Sequence, residues 1–135
     1  MNPRHGEKIF PKEHCKQFLI IAEKDLESAK VLRHSKQGRI ETVLFLIQQS
    51  IEKCLKSVLC YGSIPVPMIH NLGALVAKLP QEYSPPYGYD LDQFNDYAGR
   101  LRYEFGTGSL PEEEIDAGMI IGENMLIWAK SILQT

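Results

Sequence analysis

The sequence predicts an all-α protein, an antiparallel up-and-down bundle of about five helices, and three observations carry that expectation. Apolar residues recur at steps of three and four over most of the chain, as in Cys15, Leu19, Ala22, Leu26 and Ala29. No segment of useful length shows the period-two alternation of a half-buried strand, and there is no internal repeat. Glycine and proline fall between the periodic segments, where helices should stop.

The first helix is expected from Pro11 to about His34, and Gly38 then breaks the pattern. The second runs from about Arg39 to Tyr61 with Leu44, Ile47, Ile51, Cys54 and Val58 on one side, so the two form an antiparallel pair. Gly62 is placed to end it, and Pro65 and Pro67 prevent continuation. A short third helix spans about Asn71 to Leu79, followed by a loop, "PQEYSPPYGY", at 80–89. Asp90 can cap a fourth helix carrying Leu91, Phe94, Ala98, Leu101 and Phe105, which "GTGS" at 106–109 interrupts. Ser109, three residues before Glu112, fits a capping box for the last helix, with Pro111 in its first turn and Ile115, Met119, Gly122, Leu126, Ala129 and Leu133 inward. Gly118 and Gly122, one turn apart, predict close helix packing, because each costs about 1 kcal/mol relative to alanine in an ordinary helix.

At 135 residues the chain has the length of one domain, residues 1–135, with 1–10 expected as a flexible segment. The formal net charge of -2, from 15 basic and 17 acidic residues, supplies no overall field for nucleic acid and argues against a generic DNA binder. Cys15, Cys54 and Cys60 form no C-x-x-C pair and read as reduced core residues. The absence of a signal peptide and of a run near the roughly 20 apolar residues of a membrane span points to a cytoplasmic protein. Neither a glycine-rich phosphate loop nor an H-E-x-x-H pair is present, so no cofactor and no metal is expected.

The second helix raises the functional question. Gln48 falls about 40° from Leu44, inside the apolar arc, and is expected to be buried or at an interface. Gln49, Lys53 and Lys56 are expected on the opposite, exposed side, with Glu52 on the edge beside Phe45. Asp25, between Ala22, Leu26 and Ala29 on the first helix, needs a partner, and Gln48 or a lysine is within reach in principle. Asp96 stands one turn before Arg100 and is expected to pair with it.

In order, "AEKDLESA", "QQSIEKCLKSVL", "HNL", "RLRYEFG" and an acidic start to the last helix resemble the HEPN family, named for higher eukaryotes and prokaryotes nucleotide-binding. The most specific part is Gln48, then Glu52-Lys53 and Lys56, followed by His70 and Leu72 and later by Arg102-Tyr103. The resemblance implies a five-helix bundle, a homodimer, and a separately encoded minimal nucleotidyltransferase as partner, in some cases within a toxin–antitoxin pair. It also suggests Gln49, Glu52, Lys53, Lys56, His70, Arg102 and Tyr103 as a nucleotide- or partner-binding set, with a nucleotide as candidate ligand. Leu46 and Trp128, away from the main seams, are candidates for the dimer interface.

The alternative is an RNA-cleaving toxin with a degenerate motif. Ribonucleases of this family carry Arg followed after four to six residues by His, but Thr107, Gly108 and Ser109 occupy those positions and no histidine follows His70. The acid/base group expected beside Arg102 is therefore missing. No catalytic residue is assigned from the sequence, and the purified chain is expected to leave RNA intact. The bland readings are that the lysines solvate a helix face and that His70 fixes the start of the third helix.

Overall fold

The computed structural model describes residues 2–106 and 110–135. Five α-helices make up most of it: α1 (His14–Arg33), α2 (Ile40–Tyr61), α3 (Leu72–Lys78), α4 (Tyr97–Phe105) and α5 (Glu112–Leu133). The all-α bundle expected from periodicity is the fold found.

Cross-helix contacts fix the directions. The Ser50 hydroxyl donates to the Ala22 carbonyl at 2.7 Å and the Cys60 thiol to the Pro11 carbonyl at 3.4 Å, so α2 runs antiparallel to α1. The Tyr97 N–H donates to Gln48 Oε1 at 3.0 Å and Arg102 pairs with Glu41, so α4 is antiparallel to α2. Between α1 and α5 three ion pairs descend like rungs, Lys130 with Glu23, Lys30 with Glu123 at 3.0 Å and Arg33 with Asp116 at 3.3 Å. Helices α1, α2, α4 and α5 thus alternate in direction around a core in which Leu44, Ile47, Ile51, Leu55 and Leu59 are wholly buried.

Glycines act where close approach demands them. A Cβ on Gly118 would strike the Tyr97 ring, and one on Gly122 would lie 3.0 Å from Leu26 Cδ1, so α5 seats on α4 and α1 as the sequence predicts. At the end of α2 the left-handed residue is Ser63, φ 56°, while Gly62 makes room for Ile64 and Tyr83.

Several expectations need correction. The 80–89 segment contains a 3-10 turn, Gln81–Tyr83, and a second, Gly88–Phe94, begins after the left-handed Tyr87. The fourth helix is not continuous from Asp90: the chain breaks at Asn95 and at Asp96, φ 47°, and α4 starts at Tyr97. The cause lies in α3. Asp92 Oδ1 accepts the Gly73 N–H at 2.7 Å and Asn95 Oδ1 accepts the Leu72 N–H at 2.9 Å, so this stretch is held to the start of α3. Arg100 pairs with Glu104 rather than Asp96. Ser109 lies outside the described residues; α5 begins at Glu112 behind Pro111, with the acidic first turn expected.

Near the N-terminus β1 (Glu7–Lys8) pairs antiparallel with β2 (Val66–Pro67), and Glu7 meets Lys78 at 2.8 Å. Part of the 1–10 segment is therefore tied to the fold. Pairing this short leaves no alternation to detect in a sequence.

Candidate functional site

The polar residues of α2 gather round one carboxylate. Glu52 is fully buried, 0% exposed, and each of its oxygens is engaged. Oε2 takes Lys56 Nζ at 3.2 Å and Lys53 Nζ at 3.3 Å, while Oε1 takes His70 Nδ1 at 2.9 Å. Burial raises the carboxyl pKa, but the His70 hydrogen bond and the charges of Lys56 and Lys53 outweigh it and hold the group below its ordinary 4.5. Glu52 is thus an ionised carboxylate in the protein interior, matched by hydrogen bonds and opposite charge as a buried ion must be.

This arrangement revises the exposed basic face. Lys56 is only 4% exposed and faces inward; Lys53 is mostly covered, and Gln49 is half-buried. Glu52 is not at an edge. The period of α2 hides this because α3 and the segments before it cover the side of the helix that α1 and α5 leave open, and nearly every residue from Ser50 to Cys60 is buried.

The start of α3 places His70. Asn71 Oδ1 accepts the Ala74 N–H at 2.9 Å, and with Asp92 and Asn95 it satisfies the unpaired donors of the first turn. A Cβ on Gly73 would collide with the Asp92 carboxylate, so a larger residue there would push Asp92 off the Gly73 N–H. His70 precedes this fixed turn, its side chain 74% exposed although its Nδ1 reaches the buried Glu52. The turn Arg4–Glu7 lies alongside, through Met68 N–H to Gly6 O at 2.8 Å. Asp25 is half-buried; burial raises its pKa, opposed by the nearby charge of Lys53.

Arg102 and Tyr103 stand apart from this cluster. Arg102 pairs with Glu41, which also takes Arg39 Nε at 3.3 Å. Glu41 is eleven residues before Glu52 on α2, about 16 Å along the axis at 1.5 Å per residue. Tyr103 is 92% exposed. The seven predicted residues divide into Gln49, Glu52, Lys53, Lys56 and His70 at one level and Arg102 with Tyr103 at another. Sequence reading missed the Arg39–Glu41–Arg102 clamp and the Asp92–Asn95 support of α3. The long-range partners in both leave no local signal.

Among the described residues no group of His, Cys, Asp or Glu is arranged to hold a metal ion, and no helix is long and apolar enough to cross a membrane. Cys15, Cys54 and Cys60 are free and buried; burial pushes the Cys54 thiol up to about 12 and the Cys60 thiol up to about 11, far from a reactive thiolate.

A four-helix frame with an added short helix, holding a buried charge network on its second helix, defines a helical module whose chemistry resides in a few polar side chains. The chain belongs to the HEPN domain family, whose model matches residues 15–132. Neither curated proteins nor solved structures give a match. Family membership supports a nucleotide-binding or ribonuclease-type module.

Proposed function

We propose that the chain is the nucleotide- and substrate-binding component of a two-protein system, acting as a homodimer with a separately encoded minimal nucleotidyltransferase within a toxin–antitoxin pair. The observation that supports it most is the Glu52 cluster: one buried carboxylate organises Lys53, Lys56 and His70, and only His70 and part of Lys53 reach the surface. With Gln49 one turn before Lys53 on α2, these groups offer donors to a phosphate. Gly62-Ser63 and the Asp90, Asp92 pair are far apart in the sequence, and Asp92 is taken up by the Gly73 N–H, so in this reading the partner supplies the transfer chemistry.

Titration of ATP and of the purified partner against wild type and Lys53→Ala/His70→Ala, at low and moderate salt, tests this reading. Weaker binding in the double variant with an unchanged fold is expected, and equal affinities overturn the site. A second reading, RNA cleavage, is favoured by one observation, the exposed imidazole anchored on Glu52.

A further inference from the structure

Two thiols meet where α2 ends and α1 begins. The Cys60 thiol, one residue from the end of α2, donates to the Pro11 carbonyl at 3.4 Å, and that carbonyl also takes the His14 N–H at 2.8 Å. His14 is the residue before Cys15, so the Cys60 sulfur lies against the first turn of α1, beside Cys15. Both side chains are buried, Cys15 4% and Cys60 1% exposed, but they differ in access. Cys15 lines an open cavity of about 440 Å³ whose other walls are Lys12, Glu13, Lys16, Tyr61 and Leu133. Two cations against one carboxylate leave this opening positive, and the Lys12 ammonium is held 4.6 Å over the Tyr61 ring. Burial pushes the Cys60 thiol up to about 11, with the charges of Cys15 and Glu13 adding to the effect. Access and charge both make Cys60 the second and slower thiol of the pair.

We propose that Cys15 is a modification site for a small disulfide that carries carboxylates, and that Cys60 completes the reaction by closing a Cys15–Cys60 disulfide. The Cys15 thiolate attacks one sulfur of the small disulfide. The bond between its two sulfurs breaks, and the released thiolate takes the proton that Cys15 gave up. The Cys60 thiolate then attacks the Cys15 sulfur of the mixed disulfide, and the second small thiol leaves with the Cys60 proton. The protein dithiol is oxidised and the small disulfide is reduced to two thiols. Lys12 and Lys16 are placed to hold the carboxylates during the first exchange. Once Cys15 is a mixed disulfide it carries no charge, which removes one of the causes that keep the proton on Cys60. The finished bond ties the start of α1 to the end of α2 and takes the Cys60 sulfur off the Pro11 carbonyl. None of this chemistry depends on the Glu52 cluster.

The full chain, folded, is incubated with oxidised glutathione and followed by intact mass and by peptide mapping without reductant. Wild type should gain one glutathione on Cys15 and then lose it, ending two hydrogens lighter with the Cys15 and Cys60 peptides joined. Cys60→Ser should stop at the adduct, and Cys15→Ser should gain none. The closed form should melt above the reduced one. A variant that leaves every cysteine in place gives a separate readout: in Lys12→Gln/Lys16→Gln the first step should slow severalfold with oxidised glutathione and keep its wild-type rate with uncharged hydroxyethyl disulfide. Folded wild type that takes up no glutathione, or whose adduct persists without closure, overturns the proposal. So does first modification at Cys60 or at Cys54, which is wholly buried and reports opening of the core. Equal rates of wild type and the lysine variant with oxidised glutathione overturn the choice of a carboxylate-bearing ligand.

Discussion

The side-chain oxygen of Gln48 on α2 accepts the backbone N–H of Tyr97, the first residue of α4, at 3.0 Å. Tyr97 then carries the connection to α5: its hydroxyl donates to the Glu114 carbonyl at 3.2 Å, and its ring lies against Gly118. Burial pushes that phenol up to about 12, so it stays a donor at neutral pH. One side chain thus joins the three helices that meet at the start of α4.

Gln48→Ala should cost about 1–3 kcal/mol, because the Tyr97 N–H loses its partner in a place only partly open to water. Gly118→Ala should cost about 1–3 kcal/mol through overpacking against Tyr97. Urea unfolding measures both. A Gln48→Ala midpoint equal to that of wild type shows that water replaces the contact without loss.

The half-buried, inward-facing place of Gln48, the glycine-lined seam and the helix order were legible because each follows from periodicity along one segment. The Glu52 cluster was only half legible. The residue types in "EKCLK" mark a polar site, but whether Lys56 points into water or into the protein depends on what covers that side of α2. The break before α4 was hidden for a related reason, since Asp92 and Asn95 serve α3 about twenty residues earlier.

The two lysines should separate in stability measurements. Lys56 is buried and its loss removes one of the charges that offset a fully buried carboxylate, so Lys56→Ala should cost about 2–4 kcal/mol. Lys53 keeps part of its side chain in water, and Lys53→Ala should cost about 1 kcal/mol or less. Thermal unfolding of the two variants under one condition decides the order. Equal midpoints would mean that Lys56 is solvated after all.

Acid should weaken the fold through Glu52. Its folded pKa lies below the ordinary 4.5, so its stabilisation is fully present above 4.5 and is lost as pH falls through the depressed value. Asp25 has the opposite sign. Its folded pKa is raised above 3.8, so its favourable contribution is complete below 3.8 and lost as pH rises through the folded value. Asp25→Asn should therefore raise stability at pH 7 relative to pH 3.5, whereas Glu52→Gln should flatten the acid limb. Urea midpoints from pH 3 to 7 test both signs, and an acid limb unchanged in Glu52→Gln removes Glu52 as its source.

The proposed homodimer calls for an apolar surface that the monomer leaves open. Leu46 and Trp128 are partly buried and packed against the core, which leaves each only a partial face for a second copy. On α5, Ile120 and Ile127 are each more than half exposed and stand seven residues apart, within about 20° of one another around the helix, with Trp128 beside them. Two such stripes related by a two-fold axis can cover one another, and burying the part of each isoleucine that is still exposed contributes about 1–2 kcal/mol. Ile120→Glu/Ile127→Glu should therefore halve the mass measured by light scattering at micromolar concentration while leaving the melting temperature at that of an isolated bundle. A wild-type mass of one chain across a range of salt concentrations removes the dimer. A dimer that survives the double substitution places the contact on another face of the bundle.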